Sequence, residues 1–151
     1  MEWTIVTDSG CDLLPGDLAP NVRLRRVPLS ILLGDQEWVD GPDMDRDRFL
    51  AAMEAHKGKS SSACPSPETW ARAFAEGDNV IAITITGGLS GSYNSAVLGR
   101  DLAWEKQPHK PIYVLDSRSA GAEIALLVFR ACELIAQGLP FEQVTQQLWL
   151  Y

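Results

Sequence analysis

The stretch NVIAITITGGLSGSYNSA, residues 79–96, decides the fold. After Asn79, the run Val80-Ile81-Ala82-Ile83-Thr84 is apolar or β-branched with no polar alternation, as expected of a strand buried on both faces. From Thr84 the chain passes into a loop of glycine and hydroxyl residues, and a helical pattern begins near Ser90. A strand, a glycine loop and a helix start in that order aim unpaired backbone N–H groups and the positive end of a helix dipole at one point. Gly87, Gly88 and Gly91 would let a ligand come close to the backbone there. The stretch reads as a seat for an anion.

Working outward, Trp3–Thr7 and Pro111–Leu115 are short strands of the same buried type, the first closing on Asp8-Ser9 and the second on Asp116-Ser117. Val22–Val27 reads as a further strand, whereas Cys11–Pro20, broken by Pro15, Gly16 and Pro20, fits one short helix or turn at most. Leu29–Leu33 and Glu37–Val39, joined through Gly34-Asp35-Gln36, have the pattern of a β-hairpin. Asp43 or Asp45 can cap a helix with Phe49, Leu50 and Met53 at helical spacing, and a polar loop follows from Lys59 to Pro65. Ser66-Pro67-Glu68 then starts a helix running through Trp70, Ala73 and Phe74.

Tyr93, Ala96, Val97 and Arg100 stripe the helix after the glycine loop. A longer helix from about Ala120 to Gln137 turns Ile124, Leu127, Val128, Ala131, Leu134 and Ile135 inward, with Gly138 as its stop, and a last helix opens at Phe141. Strands alternating with helices predict an α/β fold: a parallel-sheet three-layer α/β/α sandwich with a small β-hairpin excursion, one domain over residues 1–151. In such folds ligands sit beyond the carboxyl ends of the strands, where Asp8-Ser9, Ser90 and Asp116-Ser117 all fall.

Composition narrows the function. A formal charge of −7 argues against a nucleic-acid surface, and Arg23-Leu24-Arg25-Arg26 reads as the exposed side of a basic edge strand. Cys11, Cys64 and Cys132 form no C-x-x-C pair, which suits a reducing compartment. The start MEWTIVTDSG lacks the basic and apolar regions of a signal peptide, and Ile124–Phe129 is too short to cross a bilayer. A cytoplasmic protein without stable membrane insertion is expected. The closing residues Gln146–Tyr151 leave an amphipathic helix with aromatic surface and no stop signal, as in a portion of something longer or a domain that seeks a partner.

Catalytic constellations are sparse. Gly88-Leu89-Ser90-Gly91-Ser92 lacks the G-x-S-x-G spacing of a nucleophile elbow, and neither His56 nor His109 is placed to activate Ser90. There is no phosphate-loop motif, no G-x-G-x-x-G and no zinc spacing, so no cofactor is expected. Asp8 and Asp116 could hold magnesium in a phosphotransferase or phosphatase, although helix capping accounts for both aspartates more simply. Ser60–Ser62 and Ser90 gain meaning only if the fold brings their loops together.

Taken in order, Asp8-Ser9, Ser62-Ala63-Cys64-Pro65-Ser66, Ser90-Gly91-Ser92 and Asp116-Ser117, with the hairpin residues Val27-Pro28-Leu29 and Trp38-Val39-Asp40-Gly41, resemble the DegV family of bacterial fatty-acid-binding proteins. The likeness spans the chain and is to the family's N-terminal domain, so the resemblance implies a chain expected to lack the C-terminal domain. It implies a non-enzymatic carrier that holds a long-chain fatty acid of the palmitate, stearate or oleate class and presents it to a separate fatty acid kinase. By position Ser62 and Ser90 take the carboxylate, with Ser61 and Gly91 as lesser candidates, and no metal is implied. Ser62 stands where the family carries threonine, keeping the hydroxyl, while Ala63-Cys64 replaces Ser-Gln and loses polar contacts.

Overall fold

Strand formation begins where the side chains have nowhere to go but inward. The computed structural model describes all residues except Asp12, Leu14, Pro42, Lys59, Gly88 and Leu89. In chain order its elements are β1 (Trp3–Asp8), β2 (Gly16–Ala19), β3 (Val22–Val27), β4 (Ser30–Leu33), β5 (Gln36–Val39), α1 (Arg46–Ala55) and β6 (Ser60–Ala63). There follow α2 (Pro67–Phe74), β7 (Asn79–Thr84), α3 (Ser92–Lys106), β8 (Ile112–Asp116), α4 (Ala122–Ala136) and α5 (Phe141–Leu150).

The main sheet has the order β2-β3-β1-β7-β8, with β3, β1, β7 and β8 parallel and β2 antiparallel at the edge. β1 and β7 are buried along their whole length, which is why their sequences carry no polar alternation. On one face Val6, Val80, Ala82 and Val114 meet α2 and α3 through Trp70, Phe74 and Ala96. On the other Ile5, Leu24, Ile81, Ile83 and Leu115 meet α4 and α5 through Ile124, Val128, Leu134, Val144 and Leu148. The predicted three-layer sandwich is the observed one. Ser66 caps α2 by accepting from Thr69 N at 3.3 Å, Asp45 caps α1 by accepting from Arg48 N at 3.1 Å, and Gly138 ends α4 at φ 77°.

Three expectations are revised. The Cys11–Pro20 segment supplies a short strand, β2, which lies against β3, so the arginines of β3 are not on an edge. Arg25 pairs with Glu76 at 3.0 Å, and Arg26 donates to the Ser9 carbonyl at 2.9 Å. The polar loop after α1 is partly strand: Ser60–Ala63 pairs antiparallel with β4, making the hairpin a three-stranded sheet of order β5-β4-β6. Three exposed serines have no burial pattern to read; the free edge of β4 gives them their conformation. Leu50 and Met53 on α1 are exposed, and only Phe49 of that stripe packs, against Trp38 at 5.5 Å between ring centroids. Among the described residues no helix is long and apolar enough to cross a membrane.

Candidate functional site

Parallel pairing puts the carboxyl ends of β1, β7 and β8 side by side. Thr7 pairs with Ile83 and Thr84 with Asp116, so Asp8, Thr84 and Asp116 form one row on the face covered by α2 and α3. The glycine turn between β7 and α3 rises from this row.

The turn is held from below by both aspartates. Asp8 is fully buried and accepts from Gly10 N at 3.0 Å through Oδ1 and from Ile85 N at 2.9 Å through Oδ2. Asp116 accepts from Gly87 N at 3.1 Å through both oxygens and from Arg118 N at 2.9 Å. A third tie runs from Thr86 N to the Ser119 carbonyl at 2.9 Å. These are loop braces, not the helix caps expected for the two Asp-Ser pairs. Burial pushes the Asp8 carboxyl above its ordinary range, opposed by the Ile85 and Gly10 N–H groups, the Ser92 hydroxyl and the positive charge of Arg26.

The geometry also bears on the magnesium reading. Asp8 and Asp116 sit on strands separated by β7, two inter-strand spacings or roughly 10 Å apart. Each carboxylate is turned toward its own main-chain donors. Among the described residues no three His, Cys, Asp or Glu side chains converge as metal ligands would.

Gly87 serves a different end from the one the sequence suggests. A Cβ there would stand 2.8 Å from Asp116 Oδ2, so what the glycine admits is the carboxylate of the next strand rather than a ligand. Gly88 lies outside the described residues. Gly91 is exposed at the start of α3, and a Cβ on it would lie 3.4 Å from Cys64 Sγ.

The two segments therefore run close together here. Ser95, one turn into α3 and buried, donates to the Pro65 carbonyl at 2.5 Å, so the segment leading from β6 into α2 rests on the first turn of α3. Ser61 and Ser62, both exposed, lie on β6 immediately before this segment, in register with Leu32 and Ile31. Ser90 is half-buried, its N–H bonds the Thr86 carbonyl at 3.2 Å, and its Oγ accepts from Ser92 N at 3.2 Å. A serine oxygen that accepts this bond still has its own O–H to donate. Ser95 was not singled out in the sequence, although a serine four residues after Gly91, on the helix face beside Ala96, is the signal that would have found it.

Of two cavities of about 610 and 620 Å³, one beside β8 among Tyr93, Tyr113, Leu127 and Trp149 adjoins the Asp116 brace, and the other lies between the hairpin and α1 around Trp38, Met44 and Arg48. Neither is lined by Ser62 or Ser90, whose hydroxyls belong to a surface junction.

Comparison with known proteins agrees with this architecture. The family model described as "Uncharacterised protein, DegV family" matches residues 2–149, and the chain belongs to that family. A DegV domain-containing protein of Streptococcus gordonii is 43% identical over 152 residues, and one of Streptococcus pneumoniae is 45% identical over 153 residues. The chain is matched in full in both cases but spans only 54% of each relative, about half their length. Among solved structures, the Fatty Acid Kinase (Fak) B3 protein of Streptococcus pneumoniae loaded with linoleic acid superposes with a TM-score of 0.90 at 43% identity, covering 100% of this chain and 54% of that one. A DegV family protein from Eubacterium eligens loaded with heptadecanoic acid superposes with a TM-score of 0.89 at 34% identity, covering 99% and 53%.

Proposed function

We propose that this chain grips the carboxylate of a long-chain fatty acid and, as part of a carrier without catalysis of its own, presents it to a fatty acid kinase. The observation that carries the reading is the junction of two segments. Gly91 at the start of α3 has Cys64 Sγ close by, and Ser95 one turn further on bonds the Pro65 carbonyl, directly after the strand bearing Ser61 and Ser62. The fatty acids bound by the Streptococcus pneumoniae and Eubacterium eligens relatives support it. Under this reading Ser62 and Ser90 donate O–H groups to the carboxylate while Ser61 and Gly91 border it. Residues 1–151 form the N-terminal half of the carrier, most of the acyl tail is covered by the other half, and the protein works in the cytoplasm. Neither metal nor cofactor enters.

The energetics divide the same way. Hydrogen bonds to a charged group contribute about 1.5–3 kcal/mol each and a helix terminus about 0.3–1 kcal/mol, against an association cost of about 4 kcal/mol or more. Tail burial, at about 0.8 kcal/mol per methylene, is what makes binding tight. Residues 1–151 by themselves therefore bind a soluble fatty acid such as decanoate with a dissociation constant of about 1 mM or weaker. Amide NMR tests this: decanoate should shift the amides of Ser62 and Ser90–Ser92, and decanol should not. Shifts confined to other residues, or identical for the two compounds, would refute the reading, as would tight stoichiometric binding refute the division of labour.

A further inference from the structure

We propose that Asp8 and Asp116 are positioning residues for the carboxylate grip, a double latch that holds Ile85 and Gly87 and, through the bond from Ser90 N to the Thr86 carbonyl between them, sets the position of Ser90. The inference rests on Ser90 being a carboxylate donor, as proposed above, and adds what places it there. The two latches engage the turn at successive points, Asp8 at Ile85 N and Asp116 at Gly87 N, across sequence separations of 77 and 29 residues. The bonds at Asp8 take two acceptor oxygens, which an amide lacks. At Asp116, Oδ1 accepts from both donors and Oδ2 shares the Gly87 N–H, so an amide there would turn its NH₂ toward that N–H.

The surroundings are cut to admit these bonds. A Cβ at Gly10 would lie 2.2 Å from Ile85 Cγ2 and 2.9 Å from Asp8 Oδ1, and one at Gly87 would lie 2.8 Å from Asp116 Oδ2. Both N–H donors can approach their carboxylate only because the residue carries no side chain or, at Ile85, because its neighbour carries none. The consequence for binding follows from the bonds: Thr86, between the two latched residues, accepts from Ser90 N, and Ser90 Oγ accepts from Ser92 N at the helix start. Releasing either latch frees the segment that fixes the hydroxyl while leaving the sheet and helices in place.

The test uses Asp8→Asn and Asp116→Asn, each nearly isosteric, with amide hydrogen exchange and decanoate titration followed by NMR. Asp8→Asn should speed exchange at Ile85, and Asp116→Asn at Gly87, by about tenfold or more, with the amides of β1 and β7 unchanged. Both should weaken the decanoate response by about tenfold. Decanol should leave the Ser62 and Ser90–Ser92 amides unshifted in the variants as in wild type, and exchange in the sheet and helices should be unchanged, a selectivity that general destabilisation would not produce. Asp116 is half-exposed, so its variant carries the test if Asp8→Asn does not fold. Wild-type protein showing no decanoate shifts would overturn the carboxylate reading and this inference with it. Wild-type shifts that persist undiminished in the folded variants would overturn the inference alone.

Discussion

Gly99 offers a perturbation in which two known effects oppose each other and the structure decides the winner. In a helix interior, replacing glycine by alanine stabilises by about 0.5–1 kcal/mol through backbone entropy. Gly99, however, lies in α3 where α2 crosses it, and a Cβ there would stand 2.6 Å from Trp70 Cβ, 2.8 Å from the Pro67 carbonyl oxygen and 3.2 Å from Ala71 N. Ordinary carbon contacts begin at about 3.5 Å, so the overlap approaches 1 Å and is made against the body of α2, not the end of a flexible chain. Overpacking of this kind costs about 1–3 kcal/mol. The expected balance is a loss of about 1–2 kcal/mol, which at a urea slope of about 2 kcal/mol/M lowers the unfolding midpoint by about 0.5–1 M. Leu98→Ala, at a side chain 54% exposed on the same helix, serves as the comparison and should move the midpoint far less. The displacement should also reach the site, since α2 begins two residues after Pro65 and carries the Ser95–Pro65 bond with it. A Gly99→Ala variant more stable than wild type would refute the α2–α3 contact on which the junction of the two loops depends.

Two further outcomes follow from titratable groups. Of the three free thiols Cys64 is exposed, Cys11 is buried, and Cys132 is half-buried with its thiol pushed up by burial, so Ellman's reagent should label Cys64 first in the native chain and decanoate should slow it; faster labelling of Cys132 would contradict the arrangement. Burial holds the Asp8 carboxyl above the ordinary 3.8, so between that value and its folded value the native state binds more protons than the unfolded one. Stability from this group is therefore fullest below pH 3.8 and falls as pH rises through the folded value; urea midpoints from pH 3.5 to 7 should move against wild type relative to Asp8→Asn, and parallel curves would exclude the effect.

What could be read from the residues was whatever burial writes locally. Val80–Thr84 declares itself because both faces are covered, and the inner face of α4 because its apolar spacing matches the sheet below it. Ser60–Ala63 leaves no such trace: its strand conformation comes from the edge of β4, and exposed serines suit loop and strand alike. The periodic apolar residues of α1 misled in the opposite sense, since Leu50 and Met53 remain exposed. Asp8 and Asp116 were visible as strand-end carboxylates, but their partners come from other loops, so no local pattern could separate a brace from a cap or a metal ligand. The pairing of Ser62 with Ser90 comes from family likeness alone; what the fold adds is that Gly91 stands near Cys64 and that Ser95 bonds the Pro65 carbonyl.

The latches also change what kind of anion seat the turn can be. Ile85 N, Gly87 N and Ser92 N, donors that a bare glycine loop would offer a ligand, are taken by Asp8, Asp116 and Ser90 Oγ. Two carboxylates bracing the turn would repel an anion approaching the main chain, so under the proposed reading recognition falls to the Ser90 hydroxyl. Ser90 is suited to this because its oxygen accepts from the helix start, which polarises the O–H and carries part of the helix dipole outward. The hydroxyl, rather than residue size, should then govern affinity. Ser90→Thr should retain decanoate binding within about threefold, whereas Ser90→Cys, close to serine in size but a weak donor, should fall about tenfold with Ser90→Ala. A cysteine variant that binds like serine would mean that shape, and not donation from this position, holds the carboxylate.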